Sequence, residues 1–441
     1  MSSPKEPEID IDIDLAMQIN SNKYVKAVTK LGDKMDVVAD EDVLTHTFHK
    51  LIAKGTKVDG SFYEKLIQHK LLKPIDRSLM VTDGVSADKL VADASMMISR
   101  DPKFKYMFMQ FGDVPVHVMR KIHLENPLAL KLTLIKLAMP RLFKHSIEVA
   151  LIAIYIGLKA GRTNKELTQL ATAGIFHDIS ELHINPELQN PEHDLTDDDW
   201  HQIYAHPFIS YLILKEFPAY HPAISYMTLD HHEKLDGSGY PRGHDESEIS
   251  SLGHILSVAE SVAGLIDKGY TPDEIDAKLK MCQGQFNNQY IHFILTALRG
   301  AASFSDGSDK QPTLQIIDKK LHLIGEIIKE WHTLTEKLNE QQRNQMLIHT
   351  VTDRLKYLEM QLVGSGFDTE QLDQVYVMLG EDTEEWLSDS NSIIDEAMFQ
   401  LNTIIGEVKR RWPEHANPHK PRSLGEYLSS WMNSSEDRIR H

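Results

Sequence analysis

From Leu314 onward, apolar side chains recur at three- and four-residue steps: Leu314, Ile317, Leu321, Ile324, Ile328 and Trp331, then Leu338, Leu347, Val351, Leu355, Leu358 and Leu362. That spacing lines one face of a helix and does not suit a pleated strand. Gly364 and Gly366 stop the run, and two more helix-length segments follow, around Thr369–Leu379 and Thr383–Val408. Alternating strand patterns are sparse throughout, so the expected fold class is all-α, a helical bundle with helical regions on both sides. The one alternating stretch, Glu8 to Leu15, places an acid at every second position and reads as a solvated acidic tail over 1–20. Gly55, Gly60, Pro74, Gly84 and Pro102 punctuate a helical adaptor or sensor region over 21–125. A denser apolar region covers 126–299, a small polar linker 300–312, and a C-terminal helical region 313–441. The C-terminal stripe is expected to pack within its own bundle, with a homodimer or a partner protein as the lesser expectation.

Charge narrows the function classes. Lys and Arg total 47 against 65 Asp and Glu, a net charge of −18. Such a surface repels phosphate backbones, which argues against general nucleic-acid binding but not against a small anion held by metal ions. The longest apolar run, Val149 to Leu158, falls short of the ~20 residues a membrane span needs. The lone Cys282 excludes an internal disulfide framework, and the first ten residues lack the apolar stretch of a signal peptide. The expected location is cytoplasmic.

Histidine is abundant, at 23 residues, so placement must separate ligands from filler. The dipeptide His-Asp occurs at His177, His193 and His244, and the last two lie in polar, loop-like sequence. His177-Asp178 instead ends the apolar segment Leu170–Phe176. An imidazole and a carboxylate there are costly to bury unless something compensates them, and a metal ion would do so. Further nitrogen and oxygen ligands are available from other segments. His145 opens one apolar helix, His206 stands at the start of another, His231 and His232 end a third, and Glu260 lies within a fourth. Taken singly, each is more often a cap or a paired core residue. As an ordered set they suffice for two metal ions sharing a carboxylate.

The loop Asp230-His231-His232-Glu233-Lys234-Leu235-Asp236-Gly237-Ser238-Gly239-Tyr240-Pro241 resembles the signature of the HD-GYP family. That family is a branch of the HD-domain metal phosphohydrolases, which hydrolyse cyclic di-GMP. The order of the other elements matches as well, over about residues 140–270. The resemblance implies that His145, His177, Asp178, His206, His231, His232 and Glu260 bind two divalent transition-metal ions, iron or manganese, with Asp178 bridging. It implies that His177 and Asp178 are catalytic and that a metal-bridged hydroxide attacks phosphorus. It also implies that Asp236, Gly237, Gly239, Tyr240, Pro241 and Lys268 contact a cyclic dinucleotide substrate. The product would be mainly the linear dinucleotide.

The departures from the family pattern are specific. The family's HD-I-G-K is His177-Asp178-Ile179-Ser180-Glu181 here, so an acid stands where a phosphate-facing lysine is usual. The acid that trinuclear members place four residues before the first histidine is Arg141, which points away from a third ion. The basic stretch that holds the nucleotide survives only as Lys268-Gly269-Tyr270. The alternative reading is therefore a catalytically weak or inactive module that senses a nucleotide or scaffolds partners.

Overall fold

The computed structural model describes residues 13–184, 196–282, 284–302, 314–365, 367, 384–412 and 424–440. Most of the acidic tail and linker, and the Thr369–Leu379 segment, lie outside the described residues. The chain divides into two compact units.

The first unit runs to Gly269 and takes in 284–302. It opens with α1 (Ile13–Gly32), then β1 (Val37–Ala39), β2 (Val43–Leu44), β3 (Lys50–Ile52), α2 (Tyr63–Ile67) and β4 (Leu79–Val81). β1 pairs antiparallel with β4, and β2 with β3. These strands are two or three residues long, too short for alternation to register in the sequence, where only helices were expected. Val37, Ala39, Val43 and Ile52 pack with Tyr24, Val28 and Leu31 of α1 in a small core of their own. Helices α3 (Ala87–Arg100), α4 (Pro102–Phe108) and α5 (Val114–Arg120) follow, and among the described residues the remaining regular structure is helical as expected.

The central helices are α6 (Asn126–Ala138), α7 (Pro140–Lys159), α8 (Asn164–Phe176), α9 (Asp197–Lys215), α10 (Pro222–Asp230) and α11 (Ser251–Asp267). α7 is their axis: every residue from Ser146 to Gly157 is buried. The long apolar run is thus a core helix, and among the described residues no helix is long and apolar enough to cross a membrane. α8 lies so close to α7 that a Cβ on Gly174 would fall 2.6 Å from Ala150 Cα. Ser86, Thr163, Thr196 and Ser250 cap four of the unit's helices, each accepting a backbone N–H that the first turn leaves unpaired.

A 3-10 turn, Ile179–His183, carries the chain away from His177-Asp178 and is held by the N-terminal region. Lys131 of α6 pairs with Asp76 at 2.8 Å, both nearly enclosed, and its ammonium lies 4.1 Å over the Tyr24 ring of α1. The His183 ring sits 5.0 Å from Tyr24. Burial and then the Lys131 ammonium push His183 down to about 3. Because His183 stays neutral in the fold, the unfolded chain takes up the extra proton below its own pKa of about 6.5. Stability is therefore complete above about pH 6.5 and falls as pH drops toward 3, by roughly 4 kcal/mol from this group. Urea unfolding at pH 7 and pH 4 should show His183→Gln losing less stability on acidification than the parent, and equal losses would contradict this.

The second unit holds α12 (Pro272–Met281), and α13 (Asn288–Ala302) returns to the first. The second unit continues with α14 (Leu314–Glu336), α15 (Glu340–Arg343), α16 (Met346–Gly364), α17 (Glu384–Arg411) and α18 (Leu424–Arg440). The stripe residues Ile317, Leu321, Ile324, Ile328, Trp331, Leu338, Leu347, Val351, Leu355, Leu358 and Leu362 are all buried inside this unit. Trp331 and Trp431 meet at 4.8 Å between ring centres. The apolar face is spent on the unit's own core.

Candidate metal centre

Three histidines of the first unit are locked by the same device. His177 Nδ1 donates to Gly174 O at 2.8 Å, His206 Nδ1 to Ile203 O at 2.6 Å, and His231 Nδ1 to Thr228 O at 2.6 Å. Gly174 and Thr228 lie in the last turns of α8 and α10, whose carbonyls have no helical partner. Ile203 is freed differently. His206 is inside α9 rather than at a helix start, and Pro207 has no N–H to give the carbonyl four residues back. Sequence reading misplaced His206 because proline is commonest in a helix's first turn. In each ring the Nδ1 proton is committed to a carbonyl, so the neutral ring presents a bare Nε2.

Those nitrogens converge. His206 Nε2 and His231 Nε2 are 3.0 Å apart, and Asp178 Oδ1 lies 3.1 and 3.5 Å from them. Asp178, His206, His231 and His232 make one cluster of donor atoms, and His145, His177 and Glu260 make a second. Asp178 reaches both: its Oδ2 is 3.1 Å from His177 Nε2. Glu260 Oε2 is 3.0 Å from His145 Nε2 and 3.1 Å from His177 Nε2. Although charged neighbours are this near, His177 Nε2 and Asp178 Oδ1 are buried without a hydrogen bond. Bare lone pairs at this separation repel unless a cation stands among them. The donor set, imidazole nitrogen with carboxylate oxygen, fits transition-metal ions and makes this a metal-binding site.

Electrostatics agree with that fit. Burial opposes ionisation of Asp178 and Glu260, but the histidines around them hold both carboxyls well below the usual range. Burial lowers His177 too, yet Asp178 and Glu260 outweigh it and raise the ring to about 10. The two carboxylates thus demand positive charge beside them, a proton or a metal ion. His232 goes the other way, kept well below its ordinary value by burial and by His231 and His206.

The loop after the double histidine braces this arrangement. Tyr240 stacks on His232 with ring centres 4.6 Å apart and meets Tyr204 edge-on at 4.8 Å. Gly237 adopts φ +73°, and a Cβ on Gly239 would fall 2.4 Å from both Glu233 Cα and Lys234 N. Gly239→Ala should therefore displace the backbone beside His232 and lower metal content and any hydrolysis at least about tenfold. Atomic absorption and a turnover assay on the variant check this, with circular dichroism reporting that the helices persist. Asp236, exposed, accepts from the Ser238 N–H at 3.0 Å and so shapes the turn. Pro241 follows Tyr240 on the loop, Lys268 is exposed as the C-cap of α11, and Tyr270 belongs to the other unit.

Sequence reasoning missed several supporting residues. Arg242 pairs with Asp230, and its backbone N–H donates to Glu233 Oε1 at 2.7 Å, so one residue brackets His231 and His232. Ser180, where the family has glycine, donates to His206 O at 2.8 Å and joins Ser210 at 2.9 Å, tying the 3-10 turn to α9. Asp267 accepts from His145 Nδ1 at 2.8 Å. Glu148, buried beside it, is pushed up to about 7 chiefly by that burial. Glu181 lies outside both clusters; burial opposes the upward shift of His206 and Asp178 chiefly drives it, burial chiefly raises Tyr240, and the Glu181 charge adds a smaller part to each.

Comparison with known proteins agrees with this geometry. Residues 130–290 match the HD domain family. This segment is an HD domain. Cyclic di-GMP phosphodiesterase PdeB of Borreliella burgdorferi is 26% identical over 238 residues, which cover 51% of this chain and 62% of that protein. The 3'3'-cGAMP-specific phosphodiesterase 3 of Vibrio cholerae is 30% identical over 116 residues, 26% of this chain and 25% of that protein. The chain thus spans less than two thirds of these curated relatives. Among solved structures, an HDG"Y"P protein from Bdellovibrio bacteriovorus aligns over 60% of this chain and 96% of its own, with 17% identity and a TM-score of 0.35.

Proposed function

We propose that the HD domain is a two-cation phosphodiesterase that opens cyclic di-GMP, mainly to the linear dinucleotide, in the cytoplasm. The observation that carries the reading is Asp178, whose Oδ1 belongs to one cluster, 3.1 Å from His206 Nε2, while its Oδ2 lies 3.1 Å from His177 Nε2 of the other. One ion would take Asp178, His206, His231 and His232, and the other His145, His177 and Glu260, with iron and manganese both suited to the donors. When bound, two such ions supply Lewis acidity to a phosphoryl oxygen and bring water's pKa down toward neutrality. The chain's own part is to hold the ligands before substrate arrives. The carbonyl-locked histidines keep their Nε2 atoms inward, and Tyr240 covers His232, limiting bulk water at the cluster. Gly237 and Gly239 let the loop turn and pack tightly beside His232, and in this reading that loop and Lys268 would hold the nucleotide. Relatives named for cyclic di-GMP and for 3'3'-cGAMP both match, which supports a cyclic dinucleotide as the substrate class.

Glu181 favours a second reading. An acid whose charge reaches His206 and Tyr240 also opposes an incoming phosphate, which suits a module that binds metal and turns over slowly or not at all. Metal-loaded protein incubated with cyclic di-GMP, and separately with 3'3'-cGAMP, decides between them by chromatography. A single cut to linear dinucleotide is expected. Rapid conversion to mononucleotide would contradict a two-ion site with exposed Arg141 in the third position, and no product from either would leave the binding module.

A further inference from the structure

His145 is held unlike the other site histidines. It lies in the second turn of α7, where no helix end or proline frees a carbonyl for its ring, and Leu142 O already accepts from Ser146 Oγ at 3.0 Å. Its Nδ1 donates instead to a side chain, Asp267 Oδ2, at 2.8 Å. Asp267 is the last residue of α11, where the helix dipole disfavours an acid. Something other than helix stability keeps that carboxylate there. Lys144, on the same turn as His145, holds it from the far side, with Nζ 3.1 Å from Asp267 Oδ1 and 2.5 Å from Glu148 Oε1. His145, Glu148 and Asp267 also cluster closely enough to suggest a third ion, but the Lys144 ammonium already serves those carboxylates.

We infer that Asp267 is a positioning residue for the His145–His177–Glu260 cluster, fixing the His145 ring with Nε2 toward Glu260 and strengthening that nitrogen as a metal donor. The inference rests on the two-cation reading. Carboxylates that back a ligating histidine change metal affinity about 10–100-fold. Loss of the Asp267 charge should therefore weaken one of two ions by about that factor and leave the ion near His206 and His231 in place.

The test is chelator titration of the full chain loaded anaerobically with manganese, with retained metal read by elemental analysis. Asp267→Asn should release one ion at about 10–100-fold lower chelator than the parent, and the second ion at the parent's concentration. Asp267→Glu keeps the carboxylate and should release both ions as the parent does. Two ions released alike from the parent and Asp267→Asn would overturn the inference while leaving the two-cation reading standing. Equal loss in the Asn and Glu variants would mark a packing defect and overturn it as well. No manganese in the parent would overturn the two-cation reading, and the inference with it.

Discussion

Replacing His177 and Asp178 together with alanine is expected to empty both metal positions and lower hydrolysis by at least about three powers of ten. The two residues are adjacent in sequence yet serve different clusters. His177 contributes to the one with His145 and Glu260, and Asp178 to the one with His206, His231 and His232. Asp178 Oδ2 and His177 Nε2, 3.1 Å apart, are also where the clusters meet. Removing them deletes the junction and leaves the half-buried Glu260 with less positive charge around it. Elemental analysis and turnover on one sample check the expectation. Retained metal with lost turnover would confine the pair to chemistry, and retained turnover would refute the site.

The second large effect is expected at Glu181. Two unit charges about 4 Å apart interact by about 4 kcal/mol at an effective dielectric near 20. Each ~1.4 kcal/mol is a factor of ten in rate. Glu181 follows Asp178 by less than one turn, its N–H donating to Asp178 O at 3.0 Å, and its charge is felt at His206 and Tyr240. Glu181→Lys would replace a charge that opposes a phosphate with one that attracts it. Cyclic di-GMP hydrolysis should rise at least several-fold with metal content unchanged. A fall in activity together with lost metal would identify Glu181 as a ligand instead. Metal bound in both forms with no turnover in either would favour the binding module.

What was legible in the sequence follows from what chemistry makes local. Helix period is a local property, and it read correctly for the stripe from Ile317 to Leu362, now buried in the second unit. Ligand type is local as well, so the histidines, Asp178 and Glu260 could be picked out before their clusters were seen. Partnership is not local. Asp267 lies 122 positions from His145, and no spacing rule joins an exposed acid at a helix end to a histidine on another helix. Arg242 stands one residue past the loop motif and gains its meaning only when the chain folds back on Asp230 and Glu233. The short pairs β1–β4 and β2–β3 escaped because Val37–Ala39 and its partners bury too few residues to impose a period. Glu181 was visible as a departure, whereas its electrostatic reach to His206 and Tyr240 required the fold.

The most direct test of the central claim is anomalous diffraction from crystals of manganese-loaded protein, recorded near the manganese absorption edge. The account predicts two peaks on either side of Asp178, one among His206, His231 and His232 and the other among His145, His177 and Glu260. A single peak, or peaks away from these residues, would contradict it.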